Sequence, residues 1–147
     1  MGTIVENVDV ETFVEIRLLD LRFMKRLFLI VYLCLFGLLS KAEHISSVET
    51  RGNWVYIYNS KGKKYKTLTV SAVGMVVGYG ADFFVSQNGN WIYLWDSEGK
   101  KYKTLSKSIV GNVTGVAGET FISRNGNWIY TWDKKGKKIN TRSASAY

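Results

Sequence analysis

An all-β fold of three tandem units, set behind a helical leader, is what this 147-residue sequence predicts. Three observations carry that expectation. A 37-residue period brings RGNWVYIYNSKGKKYKTL from Arg51, NGNWIYLWDSEGKKYKTL from Asn88 and NGNWIYTWDKKGKKINTR from Asn125 into register. Agreement over so many positions marks a repeat architecture, not a shared composition. Within each unit aromatic and aliphatic residues alternate with period two, which is strand spacing. Asn or Asp followed three residues later by Gly then interrupts the alternation, which is turn chemistry.

The leader comes first in the chain. Met24-Lys25-Arg26 is a basic cluster, Leu27–Leu39 is almost wholly apolar, and Ser40-Lys41-Ala42 places small residues where a signal peptidase reads; together they form the pattern of a secretory signal peptide. As a helix the apolar run reaches only about 20 Å of a roughly 30 Å hydrocarbon layer, which disfavours a membrane anchor. The signal peptide is therefore placed at residues 24–42, with Met24 as the true start and residues 1–23 as an extension upstream of it. That extension holds an amphipathic stretch, Val10–Phe23, with Phe13, Ile16, Leu19 and Phe23 at helical spacing; a helix docking on a partner is the alternative reading. Cys34 sits inside the apolar run behind Val31-Tyr32-Leu33 and is read as a passive apolar residue lost with the leader.

Cleavage after Ala42 leaves residues 43–147 as one domain, with units at about 43–69, 70–106 and 107–147. The leader is neutral overall, so the formal net charge of +8 resides in this domain. The domain holds no cysteine, which excludes a disulfide scaffold, a thiol enzyme and a cysteine-ligated zinc module.

Each unit reads as four strands. In Trp91-Ile92-Tyr93-Leu94-Trp95 the aromatics share one face and the aliphatics the other, as they do in Trp54–Tyr58 and Trp128–Trp132. Both faces are apolar, so this strand is expected between two packed layers. Asn59-Ser60-Lys61-Gly62, Asp96-Ser97-Glu98-Gly99 and Asp133-Lys134-Lys135-Gly136 are hairpin turns, with an acceptor side chain at the first position and Gly free for positive φ at the fourth. The strand after each turn is basic and polar, suited to an edge. Upstream lie Phe83–Ser86 and Thr120–Ser123, and before those the glycine-bearing Val73–Gly78 and Val110–Gly115.

This order, from a glycine-rich inner strand to a lysine-rich outer one, resembles a β-propeller blade. It is also similar to the tryptophan-glycine repeats of bacterial secreted proteins, with an early Trp, an aromatic-aliphatic strand, an Asp-containing turn and Gly-Lys, over Arg51 to about Arg142. The resemblance implies an exported repeat fold and carries no activity. The first unit has room for one strand before Trp54, so it lacks the inner strand and the total is about eleven. Three blades do not close a propeller, which needs about four to eight. A dimer of three-blade chains would supply six, and a β-trefoil monomer is the rival architecture.

Catalysis finds little material. His44 is the one histidine and stands beside the cleavage point. Asp82 and Glu119, and likewise Asp96 and Asp133, are repeat-equivalent carboxylates expected at turns displayed far apart, unlike the close pair of a glycosidase. No triad, phosphate loop or metal-ligand spacing is present, so neither an enzyme nor a cofactor or metal is expected. Binding is the stronger expectation, in two forms. Trp54, Trp91 and Trp128 with Tyr56, Tyr93 and Tyr130 form candidate platforms for sugar rings, although packing between blades takes precedence as their role. Lys63, Lys64, Lys66, Lys100, Lys101, Lys103, Lys137 and Lys138 form a candidate surface for an acidic polymer, without specificity for a nucleic acid. The expected protein is an exported, periplasmic or extracellular binding or assembly module of a bacterial envelope, with no membrane span once the leader is removed; a purely structural self-assembling protein is the first alternative and a glycoside-acting enzyme the weaker one.

Overall fold

The computed structural model describes residues 6–37 and 43–145, which divide into a helical unit and a β unit. The helical unit is α1, Glu6–Gly37, and its described side chains, residues 17–34, are exposed. One continuous helix therefore runs through the amphipathic stretch and most of the apolar run. No described helix is long and apolar enough to cross a membrane. The expected cleavage site, Ser40–Ala42, lies outside the described residues.

The described residues of the β unit form eleven strands in three antiparallel sheets, each a meander of consecutive strands. Sheet 1 comprises β1 (Ile45–Arg51), β2 (Trp54–Asn59) and β3 (Lys64–Thr69). Sheet 2 comprises β4 (Met75–Tyr79), β5 (Phe83–Asn88), β6 (Trp91–Asp96) and β7 (Lys101–Ser106). Sheet 3 comprises β8 (Asn112–Ala117), β9 (Thr120–Asn125), β10 (Trp128–Asp133) and β11 (Lys138–Ser143). Strands pair only within their own sheet among the described residues, so the shared barrel of a β-trefoil is not formed. Two one-turn helices, α2 (Val70–Val73) and α3 (Lys107–Val110), link the sheets; the sequence reading had none there.

Both kinds of hairpin follow from local chemistry. Gly52, Gly89 and Gly126 take φ of 58°, 57° and 59° directly before an Asn of ordinary φ, the type II′ pattern that matches strand twist. At the longer turns Asn59 Oδ1 accepts from the N–H of Lys61 and Lys63, Asp96 Oδ1 from Glu98 and Lys100, and Asp133 Oδ1 from Lys135 and Lys137. The acceptor expected at the first turn position is thus bonded in all three units.

The sheets stack with the aliphatic face of one on the aromatic face of the next. Val55 and Ile57 of sheet 1 pack against Val73, Phe84 and Trp95, and Phe83, Val85, Ile92 and Leu94 of sheet 2 pack against Val110, Phe121 and Trp132. Each interface is pinned by the same buried relay. Trp95 Nε1 donates to Ser86 Oγ at 2.8 Å and Ser86 Oγ donates to the Val73 carbonyl at 2.6 Å; Trp132, Ser123 and Val110 repeat it at 2.9 and 2.6 Å. The rings stack on Phe84 and Phe121 with interplanar angles of 5° and 6°. A buried indole N–H without a partner would be costly, so the two serines specify where each tryptophan can sit.

The two faces that no sheet covers depart from the repeat. On sheet 1 the equivalents of Phe84, Ser86 and Trp95 are Ser47, Glu49 and Tyr58; on sheet 3 the equivalents of Phe83, Leu94 and Leu105 are Thr120, Thr131 and Arg142. Polar replacement on the outer face of a terminal repeat suits that face to solvent.

Candidate functional site

The aromatic strands present a gradient from solvent to core. Trp91, first after the Gly89-Asn90 turn, is 50% exposed, Tyr93 is half-buried and Trp95 is 6% exposed. Trp54 and Trp128 are 48% and 50% exposed. Packing between units, the role expected first for these three tryptophans, falls instead to Trp95, Trp132, Phe84 and Phe121. The reason is position along the strand. Trp54, Trp91 and Trp128 stand at the turn end, paired with Arg51, Asn88 and Asn125; for Trp91 and Trp128 this is beyond the cover of the preceding sheet, and Trp54 lies on the face of sheet 1 that no described sheet covers. The three tyrosines are less open, because Lys64, Lys101 and Lys138 place Nζ over the rings of Tyr56, Tyr93 and Tyr130 at 4.7, 4.1 and 4.1 Å. An ammonium over the ring face is attracted by its quadrupole and occupies the side a sugar would use.

The lysines lie at the opposite end of each hairpin. Trp91 pairs with Ser106 at the far end of β7, whereas Lys101 pairs with Trp95 next to the Asp96–Gly99 turn. All eight candidate lysines are exposed, but they do not form a uniform band of free charge. Lys64, Lys101 and Lys138 lie over tyrosines, and the stems of Lys66 and Lys103 run against Gly99 and Gly136 of the next unit, where an added Cβ would meet their Cγ at 3.1 and 3.2 Å. Lys63, Lys100 and Lys137 follow the turn glycines directly.

Two further features tie unit to unit at this rim. Tyr65 Oη donates to the Ser97 carbonyl at 2.7 Å, and Tyr102 Oη donates to the Lys134 carbonyl. Lys134 Nζ donates to Asp82 Oδ2 at 2.6 Å and Glu119 Oε1 at 2.8 Å. Asp82 and Glu119, expected far apart, are therefore brought to one ammonium. The correction arises because stacking places the β4–β5 and β8–β9 loops side by side, with the β10 turn next to them. These hydrogen bonds, to Asp82 first, hold the Lys134 ammonium charged well above its ordinary range. Sequence reasoning missed the straps and the clamp. Their signal lies in the repeat columns: Tyr65 and Tyr102 become Ile139 in the last unit, and Ser60 and Ser97 become Lys134.

The straps make stability sensitive to alkali. Burial is the main cause that pushes the phenols of Tyr65 and Tyr102 up to about 12 from 10.0, with nearby carboxylates adding to it. The fold holds the neutral phenols, so between pH 10 and about 12 the unfolded chain releases protons that the folded chain keeps. Their contribution is complete below pH 10 and falls as pH rises through about 12. A denaturation midpoint followed across that window should decline, and the Tyr65→Phe, Tyr102→Phe double variant should start lower and decline less. Equal slopes for the two proteins would show that the straps are not formed.

The β unit is thus a capped stack of three antiparallel sheets, a repeat array with a tryptophan rim and a basic rim. No family model and no curated protein matches the chain. A solved structure described as KlHsv2 with loop 6CD replaced by a Gly-Ser linker is similar with a TM-score of 0.49 at 17% identity, over 71% of this chain and 36% of that one. The chain therefore spans little more than a third of that protein's length.

Proposed function

We propose that this protein is an exported, non-enzymatic binding module of a bacterial envelope whose three propeller-like blades present Trp54, Trp91 and Trp128 to glycans. One observation carries the reading: three repeat-equivalent tryptophans stay about half exposed on one rim, while other aromatics fill the core. An indole exposed in this way offers a flat apolar face for the C–H side of a sugar ring. Export rests on the basic cluster, apolar run and small residues of 24–42, and blade character rests on the meander order with its glycine-bearing first strands. The acidic-polymer reading is the second choice, because five of the eight lysines have local contacts on aromatic rings or neighbouring turns.

The test is Trp91→Ala against a glycan panel. The variant should lose at most about 1.5 kcal/mol of stability, well below the cost of a core tryptophan, and should lose binding to any glycan the parent retains. Parent and variant that bind the panel alike, or a parent that binds nothing on it, would remove the glycan reading.

A further inference from the structure

Sheet 1 has three strands where sheets 2 and 3 have four. In sheets 2 and 3 the far edge of the strand before the Gly-Asn turn is covered, β5 by β4 and β9 by β8. The corresponding edge of β1 pairs with no strand among the described residues. Its direction follows from the turn. Arg51 and Trp54 close the two-residue Gly52-Asn53 loop as partners, so their backbone groups face each other and alternation turns those of Val48 and Thr50 outward. The Ile45 end of the edge is occupied, since the Ile45 N–H donates to the Ala81 carbonyl at 2.7 Å.

The Thr50 end opens onto a groove of about 630 Å³. Thr50, Val70, Met75, Val76, Gln87 and Asn88 are among its walls, and every lining side chain is uncharged. Met75 is 63% exposed there. On a chain of net charge +8, an uncharged groove of mixed polar and apolar lining beside an open strand edge is a local exception. It selects against a polyanion and for an uncharged backbone-pairing segment.

We propose that the β1 edge and this groove receive an extended, uncharged, glycine-bearing segment of a partner protein, which pairs with β1 as the fourth strand of sheet 1. The intact sheets show what fits such a place. Met75–Tyr79 and Asn112–Ala117 carry no charge and place Gly78 and Gly115 at the same point beside a bulge. Gly78 is required by close approach, since a Cβ there would meet Val116 Cγ2 at 2.8 Å. Tyr79 stands on β4 at the position of Val116, so the incoming strand needs glycine opposite it. A second copy of this chain is the poorer donor, because its strands of this kind are already paired with β5 and β9. The proposal is independent of the glycan reading, which concerns the tryptophan rim.

The test titrates the purified full chain with a fluorescein-labelled peptide of the sequence of residues 73–80, read by anisotropy. Saturable binding is expected. A peptide with Val in place of the glycine matching Gly78 should bind about tenfold more weakly through overpacking. The Met75→Lys protein, altered at an exposed position, should keep its melting temperature and bind the parent peptide about tenfold more weakly, since the stem's charge must be desolvated in the groove. Absence of binding up to solubility, or equal binding by both peptides, overturns the proposal. A dimer by light scattering that takes up no peptide also overturns it, in favour of a second copy on this edge. Loss of glycan binding in Trp91→Ala with peptide binding retained would show that the two surfaces are separate.

Discussion

Trp95→Ala should destabilise the protein by about 3–5 kcal/mol, the range for an aromatic removed from a packed core. Trp95 is 6% exposed, stacks on Phe84 and packs in the interface between sheets 1 and 2. Its loss opens a cavity between two sheets whose backbones are held by their own ladders, so collapse around the gap is restricted. Ser86→Ala acts on the same relay by another route. It keeps the ring and strands the indole N–H, at about 1–3 kcal/mol for an unsatisfied buried donor. Equilibrium unfolding of the two variants and of Trp91→Ala should rank them Trp95, then Ser86, then Trp91. If Trp91→Ala costs as much as Trp95→Ala, the assignment of core and rim along this strand is wrong.

Gly80→Ala should cost about 3 kcal/mol, at the upper end for forced overpacking. Its Cβ would lie 2.3 Å from the Gly118 carbonyl oxygen and 2.8 Å from Phe83 Cε1. The first of these is backbone of the neighbouring unit and cannot swing aside, so sheets 2 and 3 must separate where the β4–β5 and β8–β9 loops meet. Gly89→Ala is the matched control. A Cβ there meets nothing within 4 Å, and its φ of +57° leaves conformational strain as the main cost, about 1–2 kcal/mol. The difference between the two isolates the close approach of the sheets. A Gly80→Ala protein as stable as Gly89→Ala would mean that the approach is looser than described.

The strand plan was legible because it is written in local chemistry. Period-two alternation and the Asn/Asp-to-Gly turns placed the meander, the first unit's missing strand and the count of eleven. What stayed hidden depends on where a neighbouring sheet ends. Trp91 and Trp95 have the same parity and the same residue type, so no periodicity separates the exposed one from the buried one. Lys134 reaches Asp82 across 52 residues and Glu119 across 15, and its place in the last unit is held by serine in the others, so the repeat pattern conceals the clamp. The short α2 and α3 follow from four-residue stretches too brief for any helical period. The end faces were readable in principle: column-by-column comparison shows Leu94 becoming Thr131 and Leu105 becoming Arg142, but this needs the knowledge that aliphatic positions face the next sheet.

The unequal ends divide labour among the three units. Unit 1 is specialised on one face, unit 3 on the other, and unit 2 alone offers both an aromatic face to its predecessor and an aliphatic face to its successor. The middle copy is therefore self-compatible. Tandem duplication of residues 70–106 would set Phe84 and Trp95 of one copy against Phe83, Ile92 and Leu94 of the other, as Phe121 and Trp132 are set against them now. Growth of the gene by whole middle units lengthens the stack without exposing new apolar surface, while loss of either terminal unit uncovers a face with no polar substitute.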